Sequence, residues 1–173
     1  MRCKSFSISI CHQRRNRIKG LPASEERRSR CRISRVTNSI QIHAAVLQSL
    51  IDHARRNPRV ECCGFLAGRE GIITHAYPAE NIAANRATSY EVATKEIVQV
   101  MREIRAATLE MLGIYHSHPN GRGQPSETDI ATAGYPEVAY FIISLEANAN
   151  ANAVVRAFVI RDGQVTELKL SIV

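Results

Sequence analysis

The chain has 173 residues, 45% of them hydrophobic and 5% aromatic, which suits a single domain with a buried core. Its net charge of +7 would favour an acidic partner, but the charge is unevenly placed. Residues 1–35 hold eleven Lys and Arg against two acidic residues, whereas residues 36–173 hold twelve against fourteen. The basic character therefore belongs to the N-terminal segment, and the charge does not favour a nucleic-acid-binding body.

We predict that residues 1–36 form a basic, disordered tail, because they lack a sustained apolar period and are rich in Arg and Ser. An organellar transit peptide or a nucleic-acid-binding arm would have this composition, although any nucleic-acid contact would be nonspecific. An equally open alternative is that the tail precedes the true start of the protein and has no function.

The cysteines and the apolar runs indicate the compartment. The cysteine count is odd, and no pair has C-x-x-C spacing: Cys3, Cys11, Cys31, Cys62 and Cys63. This pattern is neither a disulfide framework nor a zinc ribbon, and it favours a reducing cytosol. The longest apolar run, at 138–145, is far shorter than the ~20 residues of a membrane helix. We therefore predict a cytoplasmic protein without a transmembrane span.

In the first half of the body, the hydrophobic pattern alternates between the strand and helix periods. It predicts a strand at 39–42, followed by a helix with apolar residues at helical spacing from Val46 to Ala54. Two strands joined by a hairpin come next, at 61–67 and 72–77. An irregular polar segment at 78–92 then leads to a helix at 94–107.

In the second half, the pattern predicts a strand at 112–118, a pliable loop at 119–125 and a helix at 126–133. An apolar central strand at 138–145 and a loop without a chemical role at 147–153 follow. The last two strands, at 154–160 and 165–172, are joined by Asp162-Gly163. Helices interleaved with strands and followed by a closing hairpin predict an α/β domain around a mixed sheet.

The chemistry of the chain is concentrated in HSHPNGRGQPSETD, from His116 to Asp129. His116 and His118 lie two residues apart on a predicted strand, so both imidazoles face the same side. Asp129, one turn into the next helix, is the candidate third ligand. The alternative for Ser126 and Asp129 is a capping box. Ser126 could serve both roles, whereas Asp129 cannot cap the helix and bind a metal with the same lone pairs.

Together with Glu61, the motif reads E…H-x-H-x(10)-D, with a Pro directly after the second His and a Ser three residues before the Asp. In this pattern, and in the ECCGFLAG segment that begins at Glu61, the sequence resembles the JAMM/MPN+ zinc metallopeptidases. The resemblance covers residues 37–173. It implies a single MPN-type α/β domain, with a mixed sheet flanked by helices in a layering similar to that of cytidine deaminases.

The resemblance also implies the site. His116, His118 and Asp129 would hold one Zn²⁺ per chain with water as the fourth ligand, Glu61 would act as general base and then acid, and Ser126 would donate a hydrogen bond to the oxyanion. The implied substrate is an amide at the C-terminus of a small ubiquitin-like or sulfur-carrier protein. The family's eukaryotic deubiquitinases carry longer insertions around the site. Because the segments at 78–92 and 147–153 are short, the resemblance is closer to compact prokaryotic members.

Other interpretations account for fewer residues. A non-catalytic MPN scaffold that binds protein partners is the main alternative, and it is disfavoured because all five site positions are filled. A nucleoside deaminase would need a P-C-x-x-C pair. A nucleophilic Cys62 or Cys63 lacks a partner base, and Arg122 could contact a substrate carboxylate but is more simply a solvated charge. The remaining body histidines are expected to be surface or packing residues: His43, His53 and His75.

Overall fold

The computed structural model describes residues 38–119, 121–145 and 153–173. The predicted tail at 1–36, and all but the last residue of the loop at 147–153, lie outside these residues. Within them the elements are β1 (Ser39–Ile42), α1 (Ala44–Arg56), β2 (Cys63–Arg69), β3 (Ile72–Ala79), α2 (Thr94–Ala106), β4 (Glu110–His118), α3 (Glu127–Thr132), β5 (Ala139–Ser144), β6 (Val154–Arg161) and β7 (Gln164–Ile172).

Every predicted strand and helix of the body is present, with ends that agree to within one or two residues. One difference has a clear cause. The strand predicted to start at Glu61 starts at Cys63, because the backbone N–H of Cys62 donates to the Ser117 hydroxyl and not to a backbone carbonyl. Both α1 and α2 have 13 residues, and no described helix is long and apolar enough to cross a membrane.

The strands form one mixed sheet, as predicted, in the order β1-β3-β2-β4-β5-β6-β7. The sheet closes into a barrel because β1 pairs in parallel with both β3 and β7. The pair β4–β5 is also parallel, and the remaining pairs are antiparallel.

Two tight hairpins connect antiparallel neighbours. Glu70 and Gly71 join β2 to β3 with φ values of 53° and 80°, and Asp162 and Gly163 join β6 to β7 with 50° and 75°. Positive φ at both central residues is the type I′ geometry that matches the twist of paired strands. Glycine adopts this geometry without steric cost, which explains its place at the second position of each turn.

The central strands are buried on both faces, which places the site strand in a rigid setting. Leu66, Tyr115 and Phe141 join one cluster together with α1, whereas Phe65 and Ile114 join a second cluster together with α2. Each helix covers its cluster with an apolar stripe, and full burial of one such side chain contributes about 1.5–3 kcal/mol. The motif strand β4 therefore lies between two packed layers, with His116 and His118 at its C-terminal end.

Candidate active site

The two histidines lie on a strand that is hydrogen-bonded on both sides. His116 is opposite Cys63 of β2 and Ile142 of β5, and His118 is opposite Ser144 of β5. Both side chains are buried, with 1% of His116 and 8% of His118 exposed. Residues two apart on a strand share a face, so the imidazoles converge as the sequence predicts.

Asp129 completes a compact group of three. The Nε2 atoms of His116 and His118 are 2.9 Å apart, Asp129 Oδ1 is 3.3 Å from His116 Nε2, and Asp129 Oδ2 is 3.4 Å from His118 Nε2. A tetrahedral zinc with bonds of about 2.0–2.1 Å separates its ligand atoms by about 3.3 Å. The donor types and spacing therefore fit zinc, and in the described part of the chain this is the only group of three or more such side chains that could hold a metal.

The loop after β4 fixes the orientation of the second histidine. His118 Nδ1 lies 2.9 Å from the carbonyl oxygen of Arg122 and donates to it, so Nε2 is the ring nitrogen that faces Asp129 and is available to a ligand once deprotonated. The loop is held in turn by the Ser144 hydroxyl, which donates to the carbonyl of Gly121 at 2.7 Å. A Cβ at Gly121 would lie 2.9 Å from His118 Cβ, so only glycine permits this close approach.

The helix α3 presents Asp129 through its N-terminal cap. Asp129 Oδ2 accepts hydrogen bonds from the backbone N–H and the hydroxyl of Ser126, both at 2.7 Å, and the Ser126 hydroxyl accepts the Asp129 N–H at 3.2 Å. The capping box predicted from S-x-x-D is therefore present. Asp129 Oδ1 takes no part in it and lies 3.3 Å from His116 Nε2, whereas the capping oxygen Oδ2 also lies 3.4 Å from His118 Nε2.

Glu61 is brought to the histidines by the end of the β2–β4 pairing. Ser117 N donates to Cys62 O, and Cys62 N donates to Ser117 Oγ, each at 2.9 Å. Continuing this antiparallel register places Glu61 across from His118 on the same face. Glu61 is 5% exposed, and among the described residues its Oε2 is buried without a hydrogen-bond partner.

Burial raises the pKa of Glu61 to about 7; the nearby His118 lowers it and Asp129 raises it. Both charges therefore act on this carboxyl. A carboxyl group that titrates near neutral pH can accept a proton and later return it.

His116 and Asp129 have the charges that a cation needs in its ligands, whereas a cation at His118 must displace a proton that this ring favours. Burial lowers the pKa of His116, which keeps this imidazole neutral. Burial also acts to lower the pKa of His118, but its bonds with Asp129 and the Arg122 carbonyl outweigh burial and raise it. For Asp129, burial acts to raise the pKa, yet the bonds from His116, His118 and Ser126 hold it well below its usual range. The carboxylate is therefore ionised, as a metal ligand must be.

Three residues at the site were not predicted from the sequence motif. Tyr90 stacks on His116, with ring centroids 4.6 Å apart and planes at 22°. Asn81 donates to the backbone carbonyl of Glu61, and Ser117 holds Cys62. Ser117 could have been found as a polar residue on the opposite face of a buried strand, whereas Tyr90 and Asn81 lie in the segment at 78–92 that the sequence marks only as polar and irregular.

The other polar candidates do not belong to the group of three potential metal ligands. Cys62 and Cys63 are buried, and burial raises the pKa of both thiols, that of Cys63 to about 12, so neither is an activated nucleophile. His53 is within 2.9 Å of the Tyr115 hydroxyl, and His75 bonds to Thr74. His43 occupies the N-cap position of α1, and its side chain makes no capping hydrogen bond.

Two imidazoles and a carboxylate at tetrahedral spacing, beside a carboxyl that titrates near neutral pH, are typical of metal-dependent hydrolases. Comparison with known families agrees with this class. Residues 43–160 match the family described as prokaryotic homologs of the JAB domain. The chain belongs to this family, which confirms the JAB/MPN prediction made from the motif.

Curated relatives and a solved structure extend the match. The chain is 33% identical over 122 residues to a desampylase of Haloferax volcanii, covering 67% of this chain and 88% of the relative. It is 32% identical over 133 residues to a CysO-cysteine peptidase of Mycobacterium tuberculosis, covering 76% and 90%. A solution structure from Desulfitobacterium hafniense has a TM-score of 0.69 at 28% identity, covering 78% of this chain and 92% of that one. The general class is therefore a hydrolase.

Proposed function

We propose that this protein is a zinc-dependent peptidase or isopeptidase that hydrolyses an amide bond at the C-terminus of a small ubiquitin-like or sulfur-carrier protein. The observation that carries the proposal is the convergence of His116, His118 and Asp129 at ligand spacing beside the buried carboxyl of Glu61. The names of the relatives, a desampylase and a CysO-cysteine peptidase, support the substrate class.

In this proposal His116, His118 and Asp129 hold one zinc per chain. When bound, zinc supplies Lewis-acid activation of a water molecule. Glu61 accepts a proton as the water attacks the carbonyl carbon, and it returns that proton to the departing amine nitrogen. A carboxyl with a pKa of about 7 is suited to both steps, because each protonation state is accessible at neutral pH.

Ser126 is proposed to donate a hydrogen bond to the oxygen that becomes negative during the attack. Its side chain is exposed at the start of α3, and its hydroxyl proton points to Asp129 Oδ2 in the structure. To donate to the substrate, the hydroxyl must turn away from Asp129. The backbone N–H of Ser126 still donates to Asp129 Oδ2 when it does so. The exposed side chain of Arg122, in the loop before α3, is a candidate contact for a substrate carboxylate.

The proposed substrate and the composition of the chain agree with a cytoplasmic location, since the cysteines favour a reducing compartment. A membrane or a nucleic acid is not part of the proposed reaction. The runner-up, a non-catalytic scaffold that binds partners, would not need a carboxyl held at a pKa of about 7 beside a metal-ligand group.

The test is hydrolysis of a defined adduct by the full chain. The adduct is a ubiquitin-like carrier with cysteine joined to its C-terminal carboxyl by an amide, and mass spectrometry identifies the released carrier. We expect cleavage with about one zinc per chain, loss of cleavage after chelation, and recovery with zinc. The Asp129→Asn variant should lose zinc, whereas Asp162→Asn in the β6–β7 turn should not. A wild-type chain that binds no zinc would contradict the proposal and favour the scaffold.

A further inference from the structure

Asn81 is a buried amide whose hydrogen-bonding capacity is fully used. Its Nδ2 donates to the carbonyls of Glu61 and Ser89, each at 2.9 Å, and its Oδ1 accepts the N–H groups of Ala83 at 2.9 Å and Glu91 at 3.1 Å. Two carbonyls on one side and two N–H donors on the other fix the amide orientation. With 8% of its surface exposed, Asn81 has little access to water as a substitute partner.

One side of this network holds Glu61. Because Glu61 precedes β2, its backbone groups lie outside the regular strand ladder and need other partners. Its carbonyl is held by Asn81, and its N–H donates to the carbonyl of Arg86 at 2.7 Å. Both partners belong to the segment at 81–91, so the backbone of Glu61 is positioned by that segment.

The other side of the network holds the same segment together. Ile82 N donates to Glu91 O at 2.8 Å, and Asn81 Oδ1 accepts Glu91 N, so the two ends of the segment are tied at Asn81. Tyr90, next to Glu91, stacks on His116. Asn81 therefore connects the segment that holds Glu61 with the aromatic ring that covers a candidate metal ligand.

We propose that Asn81 is a positioning residue for the reaction, which holds the backbone of Glu61 so that its carboxyl stays aligned with the group of His116, His118 and Asp129. The effect of Asn81 on catalysis rests on the proposed function. Its structural part, the holding of Glu61, stands on the hydrogen bonds alone. A displacement of the general base by about 1 Å can lower a rate up to about a hundredfold.

The test uses two variants of Asn81 and one control. Asn81→Ala removes all four bonds. Asn81→Asp keeps an acceptor for Ala83 and Glu91 but loses both donors, so it carries the test if the Ala variant fails to fold. Asn85→Ala is the control, because this exposed residue of the same segment makes only a 3.3 Å side-chain bond to Ala87 N.

Two readouts are measured on the full chain. Hydrogen exchange by NMR follows the amides of Glu61 and Glu91, with the amide of His43, which donates to the carbonyl of Ile73 at 3.0 Å, as a reference away from Glu61. Steady-state cleavage of the carrier–cysteine adduct gives kcat and KM. For both Asn81 variants we expect exchange at Glu61 to rise while exchange at His43 is unchanged. We expect kcat to fall between about tenfold and a hundredfold, with KM and zinc content nearly constant.

The inference is overturned if exchange at Glu61 stays as slow as in Asn85→Ala, or if exchange rises equally at His43. It is overturned as well if kcat stays at the wild-type value while Glu61 exchanges faster. It is also overturned if Asn81→Asp loses its zinc, since the metal site would then be the cause. Should the wild type leave the adduct intact, the proposed function fails, and exchange at Glu61 still decides whether Asn81 holds that residue.

Discussion

Ser126 and Asp129 hydrogen-bond to each other in both directions, and this pair sets the direction of the candidate third ligand, Asp129. The Ser126 hydroxyl accepts the backbone N–H of Asp129, while Asp129 Oδ2 accepts the backbone N–H and the hydroxyl of Ser126. The second oxygen, Oδ1, is left 3.3 Å from His116 Nε2. The bonds that start α3 are therefore the bonds that aim the carboxylate at the histidines.

The first prediction concerns Ser126. Ser126→Ala should lower the free energy of unfolding by about 1 kcal/mol, because it removes a cap hydrogen bond. It should also lower kcat about a hundredfold or more through loss of the proposed oxyanion donor. Zinc content should persist, since the backbone N–H of residue 126 still holds Asp129. Denaturant unfolding, metal analysis and adduct cleavage measure the three effects.

Ser126→Thr is the matched variant, because threonine keeps a hydroxyl and is a good cap. It should retain most of the stability. If Ser126→Ala cleaves the adduct as fast as the wild type, the proposed role of the hydroxyl is wrong, whatever the change in stability.

The second prediction is the pH dependence of the reaction. The base must be ionised to accept a proton, and burial raises the pKa of Glu61 to about 7. This value applies to the metal-free site, and a bound cation lowers it. The value of kcat/KM should therefore fall by about tenfold per pH unit below a pKa that lies at or under about 7. A profile that stays flat down to about pH 4 would exclude a carboxyl base.

The third prediction is the effect of Glu61 on the stability of the metal-free protein. The pKa of Glu61 is higher in the folded state, about 7, than its ordinary value of 4.5, so the folded state binds the proton more tightly. The wild type should therefore lose stability as the pH rises from 4.5 to about 7. Glu61→Gln lacks this loss, and relative to the wild type it should gain on the order of 1–3 kcal/mol between about pH 4 and pH 8.

Chemical denaturation of both metal-free proteins across this pH range measures the difference. If the difference between their free energies of unfolding stays constant with pH, burial does not raise the pKa of Glu61. A gain in stability on losing the proposed catalytic carboxyl is the usual compromise between stability and activity at such sites.

The fourth prediction concerns Gly64, whose neighbours leave no room for a side chain. A Cβ there would lie 2.4 Å from Tyr77 O and 2.6 Å from the ring of Tyr115, the residue before His116. Gly64→Ala should lower the free energy of unfolding by about 1–3 kcal/mol and reduce activity by shifting β4. Gly134→Ala is the control: its nearest contact would be 3.9 Å away, and its effect should stay within about 0.5 kcal/mol. Equal effects in thermal unfolding would contradict the packing account.

Much of the fold could be predicted from local patterns, because residues that are close in sequence determine the strand and helix periods and the hairpin turns. The closure of the sheet does not, since β1 pairs with β7 from the far end of the chain, and nothing local to Ser39–Ile42 specifies that partner. The shift of the β2 start to Cys63 likewise depends on Ser117, a partner fifty-five residues away.

The site divides in the same way. The alternation of His116 and His118 and the S-x-x-D spacing are local signals, and the structure brings these residues together. Glu61 enters only through the family resemblance, because no local pattern links it to the motif. Asn81 and Tyr90 were not predicted, since a buried, fully bonded asparagine has the same local sequence signature as a solvated one, and only the folded chain shows its partners.

The central claim is that Glu61 transfers the proton at a metal centre built from His116, His118 and Asp129. The most direct measurement compares zinc-loaded wild type, Glu61→Gln and Glu127→Gln on the carrier–cysteine adduct. Glu127 is exposed in the first turn of α3, so its variant removes a similar charge near the site without touching the proposed chemistry. We predict that Glu61→Gln keeps about one zinc per chain and loses about a thousandfold or more in kcat, while Glu127→Gln stays within about twofold of the wild type. Cleavage by Glu61→Gln at the wild-type rate would contradict the claim.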